Sequence, residues 1–308
     1  MVLMSVVVEP VTYLEVKAPA KINYFLKITG KRPDGYHNLA SLMQKITLYD
    51  ELELRVNKEN VISLHCPGST LPEDDANIVY QAAQLFLQSV NSRIDDCQYG
   101  VAITLRKTIP IAAGLGGGSS DAAATLTGLN TMFGDPLSLE QLMAMGVTLG
   151  ADVPFFIACD SACWAEGIGE QLEAVPTFTD IHLVLVNPGF AVSTKAVYQS
   201  FSLTVDEETF NLENSRIGLW KQAWGESVAR QVFPAISLYN DLEQVTVSMH
   251  SEIQDIKDAM ITQGAEAAMM SGSGPTVFSV FNNAVAAQQC KNFFAKHYNL
   301  VYKAHPIS

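Results

Sequence analysis

Basic charge is scarce in this chain. Its 308 residues include 19 lysines and arginines against 32 aspartates and glutamates, a net charge of −13. Nucleic-acid binding needs a basic footprint, so no nucleic acid is expected as a partner. The same negative field works against anionic ligands at long range. Any phosphate site must then be local, made of backbone amides and a few lysines. Charged residues of both signs make up only 17% and apolar ones 48%, which excludes wholesale disorder and fits a sizeable core. Long apolar runs are missing too, since none approaches the ~20 residues that span a bilayer. The opening MVLMSVVVEPVTYLEV has no basic leader and no small-residue cleavage site, and reads as a lead into the first strand. A cytoplasmic protein with no membrane partner is the expectation. The five cysteines (Cys66, Cys97, Cys159, Cys163 and Cys290) are odd in number and scattered. Cys159 and Cys163 lie close, but no third ligand joins them at metal-binding spacing. Free buried thiols are expected, and no metal site built from protein side chains.

Internal repeats and low-complexity stretches are also absent. The alternation in 12–30 predicts strands in a hairpin-like pair, with further strands at 48–56, 61–66 and 100–110. Apolar spacing predicts a helix over 77–90, and Ser138 with Gln141 marks a capping box before the next one. Pro176 and the polar residues after it suggest a boundary near 175–180. Beyond it, strands at 182–187, 276–281 and 300–304 alternate with helices at 213–232, 243–263 and 284–297. That order suggests helices on one face of a small antiparallel sheet.

The stretch IPIAAGLGGGSSDAAATL, residues 109–126, stands out against this background. It is neither a P-loop, which would end in Gly-Lys-Ser/Thr, nor a dinucleotide motif, since Ser119 stands where the third glycine belongs. Its turns at Gly114, Gly116, Gly117 and Gly118 let amides converge. The helix starting near Ser119 adds unpaired N–H groups and a positive dipole end. This is an anion cradle, and a triphosphate suits it best.

Three more motifs accompany it: PAKINYFLKITGKRPDGYHNL (19–39), LGADVPFF (149–156) and MMSGSGPTVFSVF (269–281). Together they resemble the GHMP kinases, a superfamily with an N-terminal lysine motif, a central glycine-serine loop and a C-terminal glycine loop. PAKIN with ITGKRPDGYH, and NDLE at 240–243, are most similar to the members that phosphorylate 4-diphosphocytidyl-2-C-methyl-D-erythritol in non-mevalonate isoprenoid synthesis. The resemblance covers essentially the whole chain. It implies an α+β, two-domain GHMP kinase fold. Residues 1–177 would form a mixed α/β (ribosomal S5 domain 2-like) ATP-binding domain, and residues 178–308 a ferredoxin-like α+β substrate domain. A homoserine- or mevalonate-type kinase is the alternative, and a non-catalytic ligand-binding member of the fold a third reading.

The resemblance also implies the site. Asp152 corresponds to the family's catalytic base; a lone aspartate near Gly and Pro is otherwise an ordinary turn residue. Lodged beside an apolar VPFF run, it would be partly desolvated and a stronger proton acceptor. Lys21 would orient Asp152 and stabilise the transferring phosphoryl group. Asn23, on the same strand face as Lys21, would bind the substrate polyol. Tyr36 and Tyr198 would stack on the cytosine and His37 hydrogen-bond its edge. Pro110, Ala113, Gly114, Leu115, Gly116, Gly117, Gly118, Ser119 and Ser120 would wrap the phosphates of ATP, with Asn77 and Lys107 at the adenosine end. Gly272, Ser273 and Gly274 would form a second glycine turn at the substrate's diphosphate. Mg2+ would be held mostly by ATP and water, because Asp121 is expected to point along its helix. The assembly expected is a monomer or homodimer.

Overall fold

Two strands of unusual length begin the fold: β1 (Tyr13–Lys31) and β2 (His37–Asn57). The structure is a computed structural model; it describes residues 9–92, 98–158, 161–201, 207–233 and 238–308, without the side chains of 207–216. The expected hairpin within 12–30 is instead the single strand β1. Its neighbour is β2, whose first half the sequence did not mark. From Ala40 to Ile46 every residue of β2 is buried. A strand covered on both faces carries no alternation to detect.

The chain packs into two compact units, and each draws on a part of both long strands. The first comprises Met1–Pro19, Tyr49–Thr108 and Gly117–Ala158, the second Ala20–Leu48, Ile109–Gly116 and Cys159–Ser308.

In the first unit β3 (Ile62–His65) and β4 (Gly100–Arg106) extend the sheet in the order β3-β4-β2-β1. β4 is antiparallel to β2, with Ile103 opposite Leu54, and β3 is parallel to β4. Four helices belong to this unit: α1 (Ile78–Asn91), α2 (Gly117–Met132), α3 (Leu139–Leu149) and α4 (Val153–Ala158). α1 buries Val79, Ala82, Ala83, Phe86, Leu87 and Val90, the stripe expected of an amphipathic helix. At α3 both halves of the expected capping box form between Ser138 and Gln141. α2 differs, being rich in small residues and buried on several sides. A Cβ on Gly128 would come within 2.8 Å of Leu54, so glycine lets α2 lie close on the sheet.

The second unit continues with β5 (Ala162–Glu166), β6 (Gln171–Ala174), β7 (His182–Asn187), α5 (Thr194–Ser200), α6 (Glu207–Arg230), β8 (Tyr239–Asn240), α7 (Asp241–Met249), α8 (Glu252–Thr262), β9 (Ala267–Met270), β10 (Val277–Phe281), α9 (Ala284–Phe294) and β11 (Leu300–Ala304). A four-stranded antiparallel sheet runs β11-β7-β10-β9. Val184, Val186, Val277 and Phe281 pack with Ile253, Ile256 and Met260 of α8 and with Ala287, Cys290 and Phe294 of α9. Leu183, Leu185, Phe278 and Val280 face the other way, into a cluster with Tyr24, Trp220, Trp224 and Phe233. Strand period 2 thus feeds two cores from one strand. The helix expected over 243–263 divides into α7 and α8 at His250 and Ser251. β9 and α5 were not expected, since short elements beside glycine and serine carry little periodicity.

The expectation of free thiols needs correction. Cys66 and Cys290 are free and buried, but Cys163 is disulfide-bonded. Such a bond depends on the approach of two Cβ atoms in the fold, which residue spacing does not reveal. Cys97 and Cys159 lie outside the described residues.

Buried ions occupy the base of α2. Lys107 bridges Asp50 on β2 and Asp121 on α2, the latter at 2.7 Å, with all three side chains less than a tenth exposed. Asp50 also accepts the Thr108 amide at 2.6 Å. One lysine cannot balance two carboxylates in a dry interior. Burial pushes the Asp121 carboxyl up to about 8, against the pull of Lys107. Lys107 itself is raised by its two acidic partners in spite of burial. The folded chain therefore holds the Asp121 proton more tightly than the unfolded chain, whose value is near 3.8. Stability present below that ordinary value is lost as pH rises towards 8. Asp121→Asn, a permanent mimic of the protonated acid, is expected to flatten this fall in chemical-denaturation curves taken across the window. Lys107→Met should instead cost about 3–5 kcal/mol at neutral pH. Identical pH slopes for wild type and Asp121→Asn would show that the Asp121 carboxyl does not hold its proton through this window.

Candidate active site

Lys21 lies in the part of β1 that belongs to the second unit. Strand alternation sends Ala20, Ile22 and Tyr24 into the apolar cluster and turns Lys21 and Asn23 to the other face. Lys21 is nonetheless 4% exposed. A buried ammonium needs fixed partners, and here they form a chain. Lys21 Nζ donates to Asn23 Oδ1 at 2.6 Å, Asn23 Nδ2 donates to Ser41 Oγ at 2.8 Å, and Ser41 Oγ donates to the Phe25 carbonyl at 2.7 Å. This relay fixes which way the Asn23 amide faces. Ser41 was not foreseen, because it sits on the half of β2 that the sequence left unmarked.

Two glycine turns close on Lys21. The Lys21 amide donates to the Leu115 carbonyl at 2.9 Å, which lays residues Ala113–Leu115 along β1. Gly114 has φ +76, and a Cβ there would stand 2.0 Å from the Ser271 carbonyl oxygen. Ser271 Oγ in turn donates to the Gly114 carbonyl at 3.0 Å. Gly272 has φ +56, and its Cβ would fall 3.1 Å from Gly114 O and 3.3 Å from Lys21 Nζ. Bare backbone is needed on both sides of this contact. Ser273 Oγ lies 2.8 Å from Thr194 Oγ1, at the start of α5.

α5 also carries Tyr198, whose ring centroid is 5.5 Å from that of His37. Burial, and then the charge of Lys31, holds the His37 imidazole below its ordinary value. At neutral pH it is a neutral ring with one donor and one acceptor nitrogen. Tyr36, 60% exposed, sits in the turn between β1 and β2, its amide held by Asp34 Oδ1 at 3.1 Å. The second unit thus brings together Lys21, Asn23, Ala113, Gly114, Leu115 and the Gly272–Gly274 turn, and separately pairs His37 with Tyr198. Pro110 and Gly116 lie on the same glycine stretch.

The remaining predicted residues lie in the first unit. Gly117, Gly118, Ser119 and Ser120 form the first turn of α2, where helix N–H groups have no intrahelical acceptor. Ser120 Oγ and Asp121 Oδ1 are buried there without a hydrogen-bond partner. An unpartnered serine hydroxyl at a helix start fits a phosphate, to which it can donate, or a cation, which it can ligate. Gly150 lies beside Ser119, where an added Cβ would be 3.8 Å from its Oγ. Asp152 follows two residues later, partly exposed, just ahead of α4. Asn77 and Lys107 are occupied by the protein itself. Asn77 Oδ1 caps α1 through the Val79 amide and its Nδ2 donates to Pro72 O, while Lys107 joins the ion triad. Among the described residues no cluster of three His, Cys, Asp or Glu side chains is placed to hold a metal ion, and no helix is long and apolar enough to cross a membrane.

Known proteins resemble this chain over most of its length. The GHMP kinases N terminal domain model matches residues 77–159 and the GHMP kinases C terminal model residues 228–300. The 4-diphosphocytidyl-2-C-methyl-D-erythritol kinase of Syntrophus aciditrophicus (strain SB) is 45% identical over 92% of this chain and 95% of its own. That of Syntrophotalea carbinolica (strain DSM 2380 / NBRC 103641 / GraBd1) is 46% identical over 88% of this chain and 90% of its own. The chain belongs to this kinase family.

A solved 4-(cytidine 5'-diphospho)-2C-methyl-D-erythritol kinase has the same fold, at TM-score 0.74 and 31% identity, over 96% of this chain and 100% of its own. The mixed α+β architecture with GHMP N- and C-terminal domains is therefore as expected. The homoserine- or mevalonate-type alternative is not favoured. As a member of the family, the chain uses ATP. For this kinase the contact between Gly114 and the 271–274 turn predicts a steric test. Gly114→Ala is expected to cost roughly 1–3 kcal/mol of stability and to depress turnover. Gly264→Ala also has positive φ, +87, but open space around it, and should cost less and leave turnover unchanged. Equal melting temperatures and rates in the two variants would show that the close approach is dispensable.

Proposed function

We propose that the chain transfers the γ-phosphoryl group of ATP to the 2-hydroxyl of 4-diphosphocytidyl-2-C-methyl-D-erythritol, with Lys21 and Asp152 at the reacting atoms. The observation that carries the reading is the buried Lys21 ammonium, aimed by Asn23 and walled by two bare glycine turns. Phosphoryl transfer needs little covalent help from a protein. It needs positioning, positive charge near the equatorial oxygens, and an acceptor for the hydroxyl proton. The amides of Leu115 to Ser120 would hold the phosphates of ATP, which supplies the transferable group. Mg2+ would be carried with ATP, with Ser119 or Ser120 as the protein ligand.

The protein's own residues then divide the work. Asp152 takes or orients the acceptor hydroxyl's proton. Lys21 stabilises the charge that develops on the transferring group, in a site dry enough to make that charge count. Asn23 keeps one amide hydrogen for the polyol after giving the other to Ser41. Gly272, Ser273 and Gly274 offer backbone to the substrate's diphosphate. Neutral His37 reads the cytosine edge while Tyr36 and Tyr198 cover its faces. A donor drawn from the ATP pool suits a cytoplasmic enzyme.

Three variants or ligands check these roles. Asp152→Ala is expected to lower kcat by roughly 10²–10⁴-fold with KM for ATP retained; near-normal turnover would remove Asp152 from the chemistry. Tyr36→Ala should raise KM for the cytidyl substrate about 2–10-fold, the worth of one stacking contact, with kcat nearly unchanged. CMP should inhibit competitively against the cytidyl substrate, and indifference to CMP would sink the reading of His37, Tyr36 and Tyr198.

A further inference from the structure

The motif Asn240-Asp241-Leu242-Glu243 takes no part in the roles assigned above, yet its side chains grip the second glycine turn. We propose that Asn240 is a positioning residue for phosphoryl transfer, setting the distance between the 271–274 turn and the strand that carries Lys21. The proposal rests on the reading of Lys21 given above.

Asn240 is tied to both bodies that it spaces. Its backbone belongs to β8, which lies parallel to β1 with Tyr239 opposite Phe25 and Asn240 opposite Leu26. The next residue tightens that seam, since Asp241 Oδ2 accepts the Ile28 amide at 2.7 Å. The Asn240 side chain reaches the other way. Its Nδ2 donates to Met270 O at 2.9 Å and to Gly272 O at 2.8 Å, and its Oδ1 accepts the Leu242 amide at 3.0 Å.

Further along α7 the grip continues. Glu243 Oε2 accepts the Met270 amide at 2.8 Å while its other oxygen pairs with Lys257. Thr246 Oγ1 lies 3.3 Å from the Ser273 carbonyl. Positions 240, 243 and 246 fall on one face of a helix, so one face of α7 holds successive backbone groups of the turn. Gly272, whose carbonyl Asn240 holds, also abuts Lys21.

Helix capping alone does not require asparagine, since serine or aspartate caps as well. Only an amide also supplies two N–H donors to two carbonyls. Aspartate would instead set an acceptor against those carbonyls, and serine would offer at most one short donor. The role needs no contact between Asn240 and either substrate; it acts through Gly272 on Lys21.

The test compares wild type, Asn240→Ser, Lys21→Ala and the double variant, each assayed with ATP and 4-diphosphocytidyl-2-C-methyl-D-erythritol. Asn240→Ser retains the cap and is expected to melt near wild type, with kcat down roughly 10–100-fold, the order expected for a displacement near 1 Å. KM for both substrates should stay within about threefold. In the Lys21→Ala background, the same substitution should change kcat less than about twofold, because the group it positions is gone. Asn240→Asp, closest in size, takes its place if the serine variant does not fold. Unchanged kcat in Asn240→Ser beside a crippled Lys21→Ala overturns the positioning role alone. Full additivity in the double variant, or a rise in both KM values in step with the fall in kcat, also overturns it. Normal kcat in Lys21→Ala removes the reading of Lys21, and the role of Asn240 with it.

Discussion

A lysine side chain buried and aimed inside a protein is the constraint around which the second unit is built. Water cannot solvate Lys21 at 4% exposure, so the protein must supply fixed dipoles. Asn23 and Ser41 do so in a line that ends on the Phe25 carbonyl. Peptide groups of the two glycine turns stand beside Lys21. Gly114 and Gly272 meet there because neither has a side chain to keep them apart. A single methyl on Gly114 would collide with Ser271 O, so these glycines are steric requirements of the fold. The conformational entropy they lose on folding is offset by the strands and helices locked around them: β1 beneath, α7 behind, and α5 through the Ser273–Thr194 contact.

The first unit solves a related problem with ions. The turn that starts α2 leaves N–H groups with no intrahelical acceptor. The triad of Asp50, Lys107 and Asp121 anchors the helix one turn further in, where the side chains are buried. Asp50 fixes the Thr108 amide as well, and so holds both the strand end that leads into the glycine stretch and the helix that leaves it. Ser120 Oγ remains without a partner in this anchored frame.

Much of this was legible from residue patterns, and the gaps have physical reasons. α1 and the capping box of α3 were visible because one face of each helix is apolar and each start carries a side-chain cap. β7, β10 and β11 were visible as short apolar runs. The first half of β2 was not, because burial on both faces erases alternation. For Lys107 and Asn77, the ion triad and the cap on α1 that engage them were not legible in spacing, because their partners come together only in the fold. Ser41 escaped notice, and Asn240 had no task of its own, because their value lies in partners 18 and 30 residues or more away. The motif NDLE was conspicuous as a pattern, but only the hydrogen bonds to the glycine turn give it a physical task.

The most direct check is a crystal structure of the chain with a non-hydrolysable ATP analogue and 4-diphosphocytidyl-2-C-methyl-D-erythritol. The Lys21 ammonium should then hydrogen-bond the γ-phosphoryl group or the 2-hydroxyl oxygen, with Gly114 and Gly272 keeping their bare contact beside it. Phosphates bound away from both glycine turns, with Lys21 bonded only to protein, would contradict the assignment.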